Sequence, residues 1–155
     1  MPDLLVRLYD LPRSDSMETV AGEGIIVRRA LPPERDLVLS WVEQHFFGSW
    51  RSECAMAFSH LPVTLWLAQR GNTLLGFPCH DATAKGFFGP TGVGEGERGR
   101  GIGEALLFAA LAGMREAGYA YAVIGDPGPV EFYKKRLDAL EIPNSSPGLY
   151  RFMLT

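Results

Sequence analysis

The chain has 155 residues, the length of one ordinary domain, which excludes an enzyme built from two nucleotide-binding halves and a separate substrate domain. Its 46% hydrophobic and 21% charged residues can bury a substantial core, so intrinsic disorder is not the default. A net charge of −3 provides no global positive field for nucleic acid or an anionic membrane, so any anion site must be local.

The first half of the chain contains both predicted strands and predicted helices. Apolar side chains alternate over residues 4–9, which is typical of a short strand, whereas the polar residues 13–23 predict a loop or a weak helix. A β-branched run predicts a strand at 24–29, and the prolines after it open a helix that a Gly-Ser pair ends. A second, shorter helix follows that pair. Residues 63–69 and 73–79 then predict a β-hairpin with a short glycine-containing turn.

Glycine punctuates the second half of the chain. Residues 84–93 predict an unusual strand with three glycines and one proline, a composition typical of an edge, a bulge or close approach of another molecule to the backbone. A continuous apolar stripe predicts a helix over 104–117. We expect a buried strand at 119–124, a helix at 130–137 and a closing strand at 149–154.

The cysteine content and the N-terminal sequence indicate where the protein works. Cys54 and Cys79 are too few for a disulfide framework and have no ligand-like Cys/His spacing, so we expect both to be buried and no metal to be bound. The N-terminal sequence lacks the pattern of a signal peptide, and no apolar run is long enough to span a bilayer. We therefore expect a cytoplasmic protein that binds neither nucleic acid nor membrane, with a homodimer left open.

Two nucleotide-binding motifs can be tested against the densest glycine run. Residues 94–99, GEGERG, formally match GxGxxG, but the third glycine would lie outside the helix and two glutamates would face the phosphates. A P-loop is excluded because no Gly-Lys-Ser/Thr sequence occurs. Residues 98–103, RGRGIG, are better explained as a loop that exposes backbone N–H groups at a helix N-terminus and binds a pyrophosphate. A glycine-rich turn that only starts the helix is the structural alternative.

This loop resembles one known family. Arg98-x-x-Gly101-x-Gly103 fits the acetyl-CoA pattern Arg/Gln-x-x-Gly-x-Gly/Ala of the GNAT N-acetyltransferase superfamily, and Phe132-Tyr133 matches the aromatic-Tyr pair of its later helix. The likeness extends over roughly residues 24–155. In two respects the chain departs from the family, because Asp126 stands where many members have asparagine and the Gly-Phe that often follows the last helix is absent.

The resemblance implies both a fold and an extent for the domain. The fold is α+β (α/β), with a mixed, mostly antiparallel central sheet of about six to seven strands flanked by about four helices. Residues 1–155 form a single GNAT-like domain, in which residues 1–23 add a strand and a loop. That extra strand would be an edge strand or a dimer element.

The resemblance also implies an activity, which is transfer of an acetyl group from acetyl-CoA to a primary amine of a small molecule or peptide by direct attack. Tyr133 would be the general acid that protonates the departing thiolate. The strand ending at Val93 would hold the pantetheine arm, and the pyrophosphate loop would complete the acetyl-CoA site. The implied cofactor-binding residues are Val93, Arg98, Gly99, Arg100, Gly101, Ile102 and Gly103. Transfer of a different acyl group and a non-catalytic acyl-CoA sensor are the alternatives.

The sequence leaves the identity of the general base open. An alkyl amine with a pKa near 10.4 is almost wholly protonated at pH 7, a penalty of roughly 4 to 5 kcal/mol, and residues 84–93 contain no acid. Asp81 and His80 would stand about ten residues, or roughly 30 Å of extended strand, from Val93. The remaining candidates are Glu53, His45, His60 and a water chain.

Overall fold

The structure is a computed structural model that describes residues 1–155. Its seven strands are β1 (Leu4–Arg7), β2 (Ile25–Arg29), β3 (Trp66–Arg70), β4 (Thr73–His80), β5 (Phe87–Val93), β6 (Tyr121–Ile124) and β7 (Leu140–Glu141). Its five α-helices are α1 (Ser16–Gly22), α2 (Arg35–His45), α3 (Gly48–Ala57), α4 (Ile102–Glu116) and α5 (Val130–Leu137). No helix is both long enough and apolar enough to cross a membrane.

All seven strands form one mixed sheet in the order β2-β3-β4-β5-β6-β1-β7. Only β5 and β6 run parallel, and every other neighbouring pair is antiparallel. The sheet confirms the predicted α+β fold, with five helices in place of about four. Helices cover both faces, because Leu67 packs with α2 and α3 while the next residue, Ala68, packs with α4.

Strand β1 lies inside the sheet and not at its edge, which corrects the sequence-based expectation. It pairs with β6 along its whole length and with β7 at Leu4 and Leu5. Leu4 and Val6 are completely buried against α4 and α5. Of the loop and the weak helix predicted for residues 13–23, the structure has the helix, since α1 forms there and packs against β2 and α4.

Truncating a β1 side chain therefore tests its interior position. Leu4→Ala should lower the free energy of unfolding by about 2–5 kcal/mol, because it leaves a cavity where a fully buried leucine fills the core. Chemical denaturation measures this change. Leu140→Ala is the matched control at an exposed side chain of the neighbouring strand β7 and should change the free energy by less than about 0.5 kcal/mol. Equal effects of the two substitutions would contradict the interior position.

The strand predicted at 149–154 is wrong. Residues Gly148–Phe152 form a 3-10 helix, and Phe152 and Leu154 are 86% and 95% exposed. The apolar residues of this segment indicated a strand, but β1 occupies the place beside β6 and the segment pairs with no strand of the sheet. The 3-10 helix instead places Tyr150 in the wall of a cleft between β5 and β6.

Candidate active site

A cleft opens where the two parallel strands of the sheet separate. β5 and β6 pair only at Phe87↔Val123 and Phe88↔Ile124, and beyond these pairs the strands diverge. The resulting cavity has a volume of about 640 Å³. Its walls come from β5, the loop after β6, the first turns of α3 and α5, and the 3-10 helix near the C-terminus. The fold therefore builds one large concave site from segments distant in the sequence.

The backbone of β5 explains why the strand turns away from β6. Gly89 has a φ of +111°, which only glycine adopts without strain, and the following Pro90 has no N–H to donate to a neighbouring strand. Gly94 N–H donates to Leu75 O on β4 at 2.8 Å. Because successive N–H groups of a strand point in opposite directions, the N–H of Val93 faces the open edge. An extended ligand can therefore pair with this edge as a strand would.

The glycine-rich loop lies between β5 and α4 and leaves its amides free. Gly99 and Gly101 both have a φ of +82°, and Gly101 is the N-cap of α4. None of the amide N–H groups of residues 99–104 donates a backbone hydrogen bond. The positive end of the helix dipole and these free donors together form an anion-binding surface. This is the loop for which the sequence predicts a pyrophosphate site, and that assignment stays a prediction.

The side chains of Arg98, Arg100 and Ile102 in this loop lie in different environments. Arg98 Nε donates to Val93 O at 3.1 Å, which ties the end of β5 to the loop. Arg100 is exposed and lies 3.8 Å from Glu97, a residue that also pairs with Arg70. The Ile102 side chain is buried in the core, so only its backbone can contact a ligand.

Tyr133, on the first turn of α5, lines the same cleft. The residue is 6% exposed, and its burial raises the pKa of the phenol to about 12. Its hydroxyl has no hydrogen-bond partner in the protein. The oxygen is not completely enclosed by protein atoms, so a ligand can reach it. The phenol is therefore protonated at neutral pH and available as a donor to a ligand in the cleft.

Several solved structures with a similar architecture are GCN5-related N-acetyltransferases. A GCN5-related glucosamine N-acetyltransferase region of a fungal multi-domain β-N-acetylglucosaminidase superposes with a TM-score of 0.75 at 17% identity over 91% of this chain. A GCN5-related N-acetyltransferase from Sphaerobacter thermophilus gives a TM-score of 0.64 at 20% identity, also over 91%. The chain has the GNAT fold. It spans 19% and 48% of the lengths of those two proteins.

A third GNAT structure was solved with a ligand. A GNAT family acetyltransferase from Brucella melitensis, in complex with acetyl-CoA, gives a TM-score of 0.52 at 21% identity, over 72% of this chain and 80% of its own. No protein-family profile matches the sequence, and no curated protein sequence matches it. The similarity to GNAT proteins is therefore found by comparing structures.

Within this GNAT fold, Asp81 lies outside the cleft and has a structural role. Its carboxylate accepts hydrogen bonds from the Tyr119 hydroxyl at 2.5 Å, the Gly86 N–H at 2.8 Å and His80 Nδ1 at 2.7 Å. These bonds hold the turn before β5 and start that strand at Phe87, three residues later than the sequence predicts. Burial alone would raise the pKa of Asp81, but the three hydrogen bonds outweigh it and the pKa is lowered.

The pH dependence of stability should report on this cluster. Burial lowers the pKa of His80 below 6.5 despite its bond to Asp81, so the fold favours the neutral imidazole. The neutral His80 therefore makes its full contribution to the free energy of unfolding above pH 6.5. This contribution decreases as the pH falls from 6.5 toward the pKa of His80 in the folded protein. Because the pKa of Asp81 is also lowered, a further loss should follow below pH 3.8.

The measurement is urea denaturation at several pH values between 8 and 5. His80→Asn keeps a donor near Asp81 and cannot gain a proton, so the loss of stability below pH 6.5 should become smaller. His45→Asn changes an exposed histidine at the end of α2 and should leave the slope as it is. Identical slopes in the wild type and His80→Asn would contradict the buried neutral histidine.

Glu53 is the one candidate base from the sequence that lines the cleft. His45 Nδ1 bonds to Trp41 O, and His60 Nε2 bonds to Asp81 O. Sequence reasoning missed Tyr150, because its segment has the alternation of a strand. The structure brings Tyr150 and Thr83 to the Glu53 carboxylate from opposite ends of the chain.

Proposed function

We propose that this protein is an acetyl-CoA-dependent N-acetyltransferase that acetylates a primary amine by direct attack. One observation carries the proposal: the cleft between β5 and β6 joins an open strand edge to the protonated phenol of Tyr133. The free amides of residues 99–104 follow directly after that strand. The acetyl-CoA complex of the Brucella protein supports this assignment through its shared fold.

The three features match the parts of acetyl-CoA. The pyrophosphate would accept hydrogen bonds from the amides of residues 99–104, with Arg98 and Arg100 adding positive charge. The pantetheine amides would pair with the open edge of β5. The thioester would then lie near Val93, whose N–H faces this edge and can stabilise the oxyanion of the tetrahedral intermediate.

The chemical step transfers an acetyl group and moves two protons. The ammonium group first loses one proton, and its nitrogen then attacks the thioester carbonyl, so that a C–N bond forms and an oxyanion develops. Collapse of the intermediate breaks the C–S bond, and the second proton leaves the nitrogen. The thiolate gains a proton from Tyr133, which is reprotonated from the released protons, and one proton goes to solvent.

A thiol-release assay tests the proposal. The purified protein, given acetyl-CoA and a panel of primary amines, should release free CoA thiol only when an amine is present, and mass spectrometry should find the acetylated amine. Acetyl-CoA binding without release across the panel would overturn the enzyme and favour an acyl-CoA sensor. Faster release from a longer acyl-CoA would correct the acyl group.

A further inference from the structure

The charged side chains of the cleft are all of one sign. Glu53 and Asp126 are the charged residues that line it, and the lining includes no lysine, arginine or histidine. Neither carboxylate forms an ion pair with a basic side chain of the chain. The two carboxylates therefore give the cleft a negative charge that no basic side chain neutralises. The α-amino group of Met1, which also lines the cleft, donates to the Ser146 hydroxyl at 3.1 Å.

Hydrogen bonds fix the orientation of Glu53. Its Oε1 accepts from the Thr83 hydroxyl at 2.6 Å and from the Tyr150 hydroxyl at 3.1 Å. These partners come from the turn between β4 and β5 and from the 3-10 helix near the C-terminus. Both bonds go to the same oxygen, which leaves Oε2 without a partner. The carboxylate is therefore held in place with one oxygen free to accept from a ligand.

Aromatic side chains line the cleft together with this carboxylate. Phe47, Trp50, Phe87 and Tyr150 line the same cleft, and Phe47 is 73% exposed. Aromatic faces attract cations and also bind the methylene groups of an alkyl amine. This wall favours a positively charged ligand with an apolar body.

A carboxylate on the substrate would find no lysine, arginine or histidine side chain in the cleft. On entering, it would lose its water, gain no basic side chain and lie in the field of Glu53 and Asp126. Like charges that meet in a partly desolvated site repel strongly, and this repulsion excludes wrong ligands. The same site therefore discriminates against free amino acids.

We propose that the acceptor is a cationic amine that carries no carboxylate, and that Glu53 is the residue that binds its ammonium group. This inference rests on the acetyltransferase function proposed above and narrows its substrate class. The hydroxyl groups of Thr83 and Tyr150 are positioning groups, because both donate to Oε1 of Glu53 and orient its carboxylate.

Matched pairs of amines that differ by one carboxylate test the inference. Cadaverine and L-lysine, tyramine and L-tyrosine, and agmatine and L-arginine are each given to the protein with acetyl-CoA. In at least one pair, kcat/KM for the decarboxylated amine should exceed that for the amino acid by about 100-fold or more, and no pair should show the reverse. Equal or greater turnover of the amino acids would overturn the inference and leave the proposed acetyltransferase intact. Thiol release from none of the six amines, with acetyl-CoA bound, would overturn both.

Variants then test the role of Glu53. Glu53→Gln retains an oxygen for Thr83 and Tyr150 but loses the charge, so KM for the preferred amine should rise about 10-fold or more while the Kd of acetyl-CoA stays the same. Glu23→Gln removes a charge at an exposed site before β2 and should change neither value. An unchanged amine KM in Glu53→Gln would overturn its assignment. Tyr150→Phe should raise the amine KM by a smaller factor, since Thr83 still holds the carboxylate.

Discussion

Tyr133→Phe should lower kcat for acetyl transfer by about 100-fold or more, the usual contribution of a positioned general acid. The substitution removes one hydroxyl and keeps the aromatic ring that packs with Phe132 and the core around α4 and β1. The hydroxyl has no partner in the protein, so its loss breaks no hydrogen bond of the fold. Stability should therefore change little while the chemical step slows.

Single-turnover thiol release at saturating acetyl-CoA measures this effect on the chemical step. The Kd of acetyl-CoA should remain within a few-fold of the wild-type value, because the pyrophosphate loop and the edge of β5 are unchanged. Tyr9→Phe removes a hydroxyl from an exposed tyrosine outside the cleft and is the matched control. A wild-type rate in Tyr133→Phe would remove this residue from the reaction.

The raised pKa of Tyr133 predicts how the rate of acetyl transfer depends on pH. Because burial raises the pKa of the phenol to about 12, Tyr133 stays protonated through the whole accessible alkaline range. The rate should therefore increase with pH as the amine loses its proton, with no decline between pH 8 and 10 caused by Tyr133. If the rate declined between pH 8 and 10 in the wild type but not in Tyr133→Phe, the phenol would ionise within that range and its pKa would not be raised by burial.

Local features of the site could be predicted from the sequence because short-range physics determines them. The apolar stripe of α4 and the glycines before it specify a helix with an open N-terminus, and both appear in the structure at the expected place. Gly89 and Pro90 similarly predict a strand that cannot continue regular pairing, and there β5 leaves β6. Each of these predictions depends on residues within about ten positions of one another.

Features that depend on long-range pairing could not be predicted in this way. Whether residues 4–7 form an edge strand or an interior strand depends on β6 and β7, more than 100 residues later. The Glu53 carboxylate gains its two donors from residues 30 and 97 positions away. The distance argument about Asp81 likewise did not include the three hydrogen bonds that hold this residue in a turn outside the cleft.

Gly101→Glu should raise the Kd of acetyl-CoA by about 100-fold or more. Like charges about 4 Å apart repel by roughly 4 kcal/mol at an effective dielectric constant of 20, and the new carboxylate would project from the N-cap of α4 beside the free amides. A Cβ at this position meets no atom within 4 Å, so the side chain itself fits. The positive φ of +82° adds a strain of about 1 kcal/mol, which affects stability as well.

Two further variants separate charge from strain. Gly101→Asn introduces a neutral side chain that tolerates the left-handed conformation, so its Kd should stay within a few-fold of the wild type. Gly22→Glu adds the same charge at the end of α1, where a Cβ also meets no atom, and should leave the Kd unchanged. Isothermal titration with CoA and with pantetheine, which lacks the pyrophosphate, locates the effect. If Gly101→Glu weakened both ligands equally, the loss would lie in the fold of the loop, and the amides of residues 99–104 would not be the pyrophosphate site.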